Sequence, residues 1–263
     1  MQVVILCGGK GTRLKEETEF KPKPLVTVGG MPLLWHIMKI YSHYGYNDFI
    51  LCLGYKVEMI KEYFLNFEEL TNDFTLRLRN RQQRIVHHRN EALEDWNITF
   101  ADTGLETQTG GRIARIEHLI DGDDFFLTYG DGVADVHIPS VYDLHKKIGA
   151  VLTVTGVRPR TFYGILDVDG GMAKSFKEKP TIENIINGGF KVCSKKLFEY
   201  LSPDANCVLE QEPMRHLAQE GKLAVHEHCG FWYAMDTHKQ YEELNAIWNA
   251  GNPPWKVWER GVL

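Results

Sequence analysis

The sequence predicts an α/β fold built on a mostly parallel sheet. An apolar run at residues 2–7 is typical of a buried strand, and residues 48–53 form a second such run. Between them, apolar side chains recur at helical spacing from Leu34 to Tyr44, after Pro32 at a favourable first helical position. A strand, a helix and a second strand in this order form a βαβ unit, in which the two strands run parallel.

The rest of the chain continues this alternation. A second helix is predicted at residues 57–66, and residues 74–102 alternate as antiparallel strands do. Further strands are predicted at residues 125–129, 151–157, 164–168, 173–177, 188–193 and 223–228, and further helices at residues 138–148, from 195, at 211–219 and at 239–250. No repeat or linker interrupts the pattern. We therefore expect one domain over residues 1–263, with a Rossmann-like, mostly parallel sheet, helices on both faces and a small antiparallel portion.

The composition narrows the class of protein. A formal net charge of −5 argues against a nucleic-acid-binding surface, which is normally basic. No apolar run approaches the roughly 18 residues of a membrane span, and the first predicted strand begins at residue 2, so we expect neither a membrane span nor a signal peptide. The five cysteines are odd in number and lack C-x-x-C spacing, so neither a disulfide framework nor a zinc site is expected. A cytoplasmic protein with reduced thiols fits best.

A glycine-rich loop directly follows the first strand. Gly8, Gly9 and Gly11 come first, and Arg13 and Lys23 follow them. Backbone N–H groups in such a loop approach phosphates closely, while arginine and lysine add positive charge. The spacing is neither the dinucleotide fingerprint nor a Walker A loop, and the prolines beside Lys23 disfavour a regular helix. We therefore predict a nucleoside triphosphate site in which the phosphates lie in a loop, without a helix N-terminus.

Two aspartates are candidate magnesium ligands. Asp131 lies in a Gly-Asp-Gly turn after a predicted buried strand, and Asp236 precedes the last predicted helix. Mg²⁺ is usually held by one or two carboxylates together with phosphate oxygens and waters. The alternatives are a turn-capping role for Asp131 and a helix N-cap role for Asp236.

Eight segments of the chain resemble those of the sugar-1-phosphate nucleotidylyltransferases. They are residues 6–14, 19–30, 33–45, 102–112, 128–135, 176–180, 186–190 and 231–237. Within that family the chain is most similar to the glucose-1-phosphate cytidylyltransferase branch, marked by TGGR, YGDGVAD and MDT in this order. The resemblance runs from residue 1 to about residue 258. It implies the nucleotide-diphospho-sugar transferase fold, with sugar-binding and oligomer contacts in the C-terminal part, from about residue 150 to 263.

The resemblance also implies an activity. The expected reaction is the Mg²⁺-dependent transfer of a cytidylyl group from CTP to α-D-glucose 1-phosphate, which gives CDP-glucose and pyrophosphate. The product would serve the synthesis of deoxysugars, O-antigen or another surface polysaccharide. The expected partners are these small-molecule substrates and further copies of the chain, in a trimer or hexamer, with no nucleic acid and no membrane.

Roles for individual residues follow from the same resemblance. Lys23 and Arg13 are expected to act in catalysis, and Asp131 and Asp236 to bind the metal. The residues expected to bind the nucleotide are Leu6, Gly8, Gly9, Lys10, Gly11, Thr12, Arg13, Lys23, Gly110, Gly111, Arg112 and Gly130. Those expected to bind the sugar phosphate are Gly130, Glu178, Lys179, Asn187 and Gly188.

Some alternatives stay open. The chain has Phe162-Tyr163-Gly164 where the family has Arg-Phe-Gly, and Glu106 where a small hydroxyl residue is common. Because these changes lie around the expected substrate pockets, uridylyl or thymidylyl transfer, or transfer to a different sugar 1-phosphate or phosphorylated acceptor, remains open. A metal-dependent glycosyltransferase is a more remote alternative, since the turn at Asp131 lacks the second aspartate of a D-x-D motif.

Overall fold

The structure is a computed structural model that describes residues 1–12, 14–79, 84–87, 94–161 and 163–259. The strands in these ranges are β1 (Val3–Leu6), β2 (Thr27–Val28), β3 (Met31–Pro32), β4 (Asp48–Leu53), β5 (Asp73–Leu76), β6 (Arg84–His87), β7 (Asn97–Asp102), β8 (Asp124–Tyr129), β9 (Gly132–Ala134), β10 (Leu152–Val157), β11 (Ile165–Asp169), β12 (Met172–Lys177), β13 (Ile186–Asn187), β14 (Lys191–Ser194), β15 (Leu223–His228) and β16 (Trp232–Ala234). The helices are α1 (Lys15–Thr18), α2 (Leu33–His43), α3 (Val57–Leu65), α4 (Phe67–Thr71), α5 (Thr109–Arg115), α6 (Ile138–Ile148), α7 (Glu212–Gln219) and α8 (His238–Asn249). Short 3₁₀ helices lie at Lys23–Leu25, Glu117–Leu119, Lys195–Tyr200 and Val257–Glu259.

Within the described residues, the central sheet has eight strands in the order β13-β10-β14-β8-β1-β4-β7, with β15 also paired to β10. Strands β8, β1, β4 and β7 run parallel to one another, whereas β14 is antiparallel to both β8 and β10. The predicted βαβ unit is present, since Val3 pairs with Phe49 and Leu6 with Cys52 in parallel register. The mostly parallel sheet of an α/β fold is therefore confirmed.

Helices cover both faces of this sheet. Successive residues of a strand point to opposite faces, so Val3 and Ile5 enter one hydrophobic core and Val4 enters the other. Ile37 of α2 lies in the first core, and Ile113 of α5 lies in the second. The apolar run of β1 is thus explained by burial on both sides, as is typical of parallel sheets.

Strand β7 departs from the sequence prediction. The hairpin of β5 and β6 is antiparallel, as predicted for residues 74–102, with Asp73 opposite His87. In contrast, β7 runs parallel to β4, with Asp48 opposite Asn97. It forms one edge of the central sheet and is only partly buried. Its alternating pattern therefore reflects an edge position, and the prediction of antiparallel pairing was wrong for this segment.

Two local predictions also need correction. The strand predicted at residues 188–193 begins only at Lys191, as β14, because Gly189 and Phe190 adopt positive φ angles of 81° and 42° and turn the chain after β13. After the glycine-rich loop, α1 adds a single four-residue helical turn where only a loop was predicted. No helix in the described ranges is long and apolar enough to span a membrane.

His36 in α2 is buried and gives the fold a pH dependence. Its Nε2 lies 2.8 Å from the carbonyl oxygen of Val28, and the indole Nε1 of Trp255 donates to Nδ1 at 3.4 Å. Both contacts are satisfied by a neutral ring that donates from Nε2. Burial lowers the pKa of His36 to about 4.

Acidification is therefore expected to destabilise the protein through His36. The unfolded chain takes up this proton near pH 6.5 but the native state only near pH 4, so stability falls as the pH drops through this window. We expect a loss of about 2 kcal/mol between about pH 7.5 and pH 5 from this residue alone. Urea unfolding followed by tryptophan fluorescence should show a weaker pH dependence in His36→Gln. An equal dependence in both proteins would contradict this assignment.

Candidate active site

A cavity of about 230 Å³ opens at the carboxyl ends of β1 and β8. It is lined by Leu6, Cys7, Gly9, Gly11, Thr12, Lys23, Pro24, Gly130, Asp131 and Asp236. In open α/β sheets ligands bind at this edge, because loops from several strands meet there. The cavity brings together most of the predicted glycine-rich loop, the predicted lysine and both predicted aspartates.

A short ribbon of β9 and β16 brings the two aspartates together. Gly132 pairs with Ala234 in antiparallel register, and the Met235 N–H donates to the carbonyl oxygen of Asp131 at 2.9 Å. Asp131 directly precedes β9, and Asp236 lies two residues after β16. Two carboxylates far apart in the sequence therefore face the same cavity.

Asp236 is not the N-cap of the last helix. Thr237 takes that position, where its hydroxyl accepts from the Gln240 N–H and the Gln240 side chain accepts from the backbone of Thr237. This capping box satisfies the first turn of α8 without the Asp236 carboxylate. The carboxylate is therefore directed to the cavity, where Lys23 contacts it.

Lys23 lies between the two aspartates. Its Nζ donates to Oδ2 of Asp131 and to Oδ1 of Asp236, both at 2.7 Å. The lysine side chain is 12% exposed, whereas the two carboxylates are 35% and 26% exposed. Pro22 and Pro24 flank Lys23 and restrict the backbone that presents it. Two negative charges and one positive charge leave the centre with a net charge of −1, which attracts a further cation.

This donor set fits a metal ion that a substrate helps to hold. No group of three or more His, Cys, Asp or Glu side chains in the described parts of the chain could hold a metal ion. Asp131 and Asp236 supply two converging carboxylates, and the Lys23 ammonium shows that the pair accepts a shared cation. Mg²⁺ commonly takes one or two carboxylates and completes its shell with phosphate oxygens and waters. A closed structural metal site does not fit these residues.

Arg112 holds the glycine-rich loop from behind. Its side chain is almost fully buried, and its guanidinium donates to the carbonyl oxygens of Leu53, Gly8 and Leu105 and to the Thr103 hydroxyl, at 2.8 to 3.2 Å. All of these acceptors belong to the protein. Arg112 therefore fixes the loop, and its expected contact with the nucleotide stays a prediction.

Gly110 and Gly111 lie inside α5 and allow it to pack closely against residues 204–209. A Cβ atom on Gly110 would lie 2.6 Å from Cys207 Sγ, and one on Gly111 would lie 2.4 Å from the carbonyl oxygen of Asp204. Both glycines are buried. The close approach that they permit is to the protein itself, and contact with a base stays a prediction.

Lys10 lies at the outer side of the loop. Its ammonium pairs with the exposed Glu106 carboxylate at 2.6 Å, which links the glycine-rich loop to the turn after β7. Glu106 is one of the positions at which the chain departs from the family pattern. Arg13 and Phe162 lie outside the described residues.

The residues predicted to bind the sugar phosphate fall in two places. Asn187 donates to the Tyr129 hydroxyl at 3.1 Å, and the Gly188 carbonyl oxygen accepts from the Trp232 indole at 2.7 Å, so both lie beside the end of β8. Gly130 lines the cavity, whereas Glu178 and Lys179 follow β12, are exposed and do not line it. A sugar contact by either group stays a prediction.

Sequence reasoning missed a polar cluster beside the cavity. Tyr129 donates its hydroxyl proton to Oε1 of Glu210 at 2.5 Å, and the Thr109 hydroxyl donates to Oε2 at 2.6 Å. Lys191 of β14 lies beneath this cluster, 3.6 Å from the centre of the Tyr129 ring. A lysine within the apolar segment of residues 190–193 was the available signal.

The fold and site define a nucleotidyltransferase, and the comparisons agree. The sequence pattern of the nucleotidyl transferase family matches residues 2–248, and the chain belongs to that family. A probable glucose-1-phosphate cytidylyltransferase of Bacillus subtilis (strain 168) is 49% identical over 258 residues, which cover 98% of this chain and 100% of the relative. The glucose-1-phosphate cytidylyltransferase of Salmonella typhi is 46% identical over 261 residues, with the same coverage. The resemblance seen in the sequence motifs is therefore confirmed.

The fold has counterparts among solved structures. A putative glucose-1-phosphate thymidylyltransferase from Bacillus anthracis superposes with a TM-score of 0.68, at 18% identity, over 94% of each chain. At this identity the likeness concerns the fold alone. It agrees with the predicted nucleotide-diphospho-sugar transferase fold.

Proposed function

We propose that the protein transfers a cytidylyl group from CTP to α-D-glucose 1-phosphate, and so forms CDP-glucose and pyrophosphate. The observation that carries this proposal is the Lys23 ammonium between Asp131 and Asp236, beside a glycine-rich loop at the carboxyl edge of the sheet. Such a centre suits the alignment and neutralisation of phosphate groups. The choice of cytosine and glucose is supported by the names of relatives that are 46% to 49% identical over nearly the whole chain.

The reaction has little need of a general base to activate the nucleophile. A phosphate monoester has a second pKa near 6, so the attacking oxygen of the sugar 1-phosphate is mostly ionised at neutral pH. This oxygen attacks the α-phosphorus of CTP, and the bond to the β-phosphate breaks as pyrophosphate leaves. The enzyme must hold two anions in line and neutralise the charge that spreads onto the leaving group.

The residues of the cavity suit these tasks. Gly9, Gly11 and Thr12 line it from the loop after β1, where backbone N–H groups can bind the triphosphate. Lys23 supplies a compact positive charge beside them. Arg13 would add a second cation from the same loop. We propose that Lys23 and Arg13 stabilise the departing pyrophosphate.

We propose that Asp131 and Asp236 hold Mg²⁺. Their converging carboxylates, their partial exposure to the cavity and the net negative charge of the centre support this assignment. Bound there, Mg²⁺ would neutralise phosphate charge. The two aspartates would orient it, while Lys23 balances their charge in the free protein.

The predicted roles of the outer residues remain part of this proposal. Gly110 and Gly111 would shape the wall against the base, with Arg112 holding the loop. Lys179 would bind the phosphate of the sugar. Glu178 would accept hydrogen bonds from the sugar hydroxyl groups, and the Asn187 amide would donate to them or accept from them.

We also propose that the protein is a cytoplasmic homo-oligomer, a trimer or hexamer, whose contacts involve the C-terminal part of the chain. The hairpin of β11 and β12 exposes an apolar surface, with Leu166, Val168, Met172 and Phe176 between 57% and 75% exposed. A contiguous apolar surface of this kind supports burial against another copy of the chain. The five free cysteines support a reducing compartment.

Pyrophosphate release should test the reaction directly. We expect release with Mg²⁺, CTP and glucose 1-phosphate together, and little with UTP or dTTP in place of CTP. Equal or stronger release with UTP or dTTP would favour the uridylyl- or thymidylyltransferase alternative. No release with glucose 1-phosphate and any nucleotide would overturn this substrate. A panel of other sugar 1-phosphates would then be the next measurement.

A further inference from the structure

Lys191 is a charged residue in an apolar interior. Its side chain is 0% exposed, between the buried residues Phe190 and Val192. Its Nζ has no hydrogen-bond partner among the described residues. Burying an ammonium group without such a partner costs stability, so an apolar side chain would suit the core better. Packing alone therefore does not explain why a lysine occupies this position.

The strand register brings Lys191 to the active-site edge of the sheet. Lys191 pairs with Leu127 of β8, and Tyr129 lies two residues further along the same face. The ammonium group is 3.6 Å from the centre of the Tyr129 ring. Tyr129 directly precedes Gly130 and Asp131, which line the cavity. The buried charge therefore lies under the wall of the candidate site.

Tyr129 links Lys191 to Glu210. A cation against the face of an aromatic ring is held by the ring quadrupole, and it polarises the phenol O–H towards an acceptor. That O–H donates to Glu210 Oε1 at 2.5 Å, while the Tyr129 oxygen accepts from Asn187 Nδ2. Burial lowers the pKa of Lys191 to about 8, and the negative charge of Glu210 opposes this decrease. The lysine therefore stays mostly charged at neutral pH.

Glu210 is held as an acceptor. Tyr129 and Thr109 each donate to one of its two carboxylate oxygens, which fixes the plane of the group. The residue is exposed, and each oxygen keeps a further lone pair for another donor. Sugar hydroxyls are donors of the kind that such a carboxylate binds.

We propose that Lys191 is a positioning residue for the sugar 1-phosphate, which acts through Tyr129 to fix the Glu210 carboxylate that accepts hydrogen bonds from the sugar hydroxyls. This inference rests on the proposed function, because the substrate is the one named there. Lys191 contacts no substrate itself.

The test measures KM for glucose 1-phosphate, KM for CTP and the Tm of each variant. In Lys191→Met, which keeps the chain length but not the charge, we expect KM for glucose 1-phosphate to rise about tenfold and KM for CTP to change by less than about twofold. The Tm of Lys191→Met should equal or exceed that of the wild type, because a buried charge without a hydrogen-bond partner is removed. Tyr129→Phe should give a similar KM change, and the double variant little more than either. Lys196→Met, at an exposed lysine of the following 3₁₀ helix, is the matched control and should behave like the wild type.

Several outcomes would overturn the inference. An unchanged KM for glucose 1-phosphate in Lys191→Met would do so, as would an equal rise in KM for both substrates. A lower Tm together with a general loss of activity would assign Lys191 a structural role. Additive effects in the double variant would contradict an action through Tyr129. No turnover by the wild type with any sugar 1-phosphate would overturn the proposed function itself, whereas normal wild-type turnover with an unaffected Lys191→Met overturns this inference alone.

Discussion

Replacing Lys23 by methionine is expected to lower kcat/KM for pyrophosphate release by about 10²–10³. The lysine ammonium lies in the cavity, where it donates to both Asp131 and Asp236. Methionine keeps the length and apolar part of the side chain but removes the charge. The two carboxylates would then repel each other, and the departing pyrophosphate would lose a cation. Steady-state kinetics with Mg²⁺, CTP and glucose 1-phosphate measure the effect.

Lys21→Met is the matched control for this variant. Lys21 lies two residues before Lys23, on the same Lys-Pro-Lys-Pro segment, but it does not line the cavity. We expect its kcat/KM to stay within about threefold of the wild type, as is usual for screened surface charges. Similar losses of kcat/KM in both variants would mean that activity depends on the total positive charge of the segment and not on Lys23 in particular. If kcat/KM fell in neither variant, Lys23 would have no catalytic role.

The fold was largely predictable because local signals mark many of its elements. Helix α6 and strands β4 and β15 have the predicted bounds, since hydrophobic periodicity and end signals agree there. Gly149 ends α6 in a left-handed conformation, with a φ of 69°. Strand β7 was predicted in the wrong orientation, because alternation along a segment does not say which strand it pairs with.

The core of the site was predictable for a related reason. Glycines and aspartates directly after buried strands must lie at the carboxyl edge of a parallel sheet. The sequence thus indicated the glycine-rich loop and Asp131, and the family motif indicated Asp236. It did not indicate that Lys23 joins the two aspartates, since that contact spans 213 positions to Asp236. Such distant contacts depend on the β9–β16 ribbon, which is only three residues long in each strand.

Charged residues with structural roles were the hardest to interpret. Arg112 belongs to a family motif, yet its guanidinium is used by protein acceptors. The Glu212 carboxylate likewise pairs with Arg215 and His216 on its own helix. The sequence gives the type of each residue, while burial and acceptor geometry decide what a charge does.

Asp131→Asn and Asp236→Asn are each expected to raise the Mg²⁺ concentration for half-maximal activity by at least about 100-fold. Loss of an outer partner of a metal ligand already costs about 10–100-fold in affinity, and a ligand lost directly should cost more. Asparagine keeps the size and one acceptor oxygen, so the contact with Lys23 can persist while the charge is lost. Magnesium titrations of activity at saturating substrates measure the change.

Asp135→Asn separates metal binding from structural loss of a carboxylate. Asp135 lies at the end of the same ribbon, but its carboxylate accepts from the Phe231 N–H at 2.7 Å and pairs with His228 at 3.0 Å. Its loss should lower Tm and leave the Mg²⁺ requirement unchanged. If Asp131 and Asp236 served only as structural partners of Lys23, their variants would follow this same pattern. A raised Mg²⁺ requirement confined to Asp131 and Asp236 is expected only if their carboxylates hold the metal, because the loss of a salt bridge alone does not change the affinity for a divalent ion.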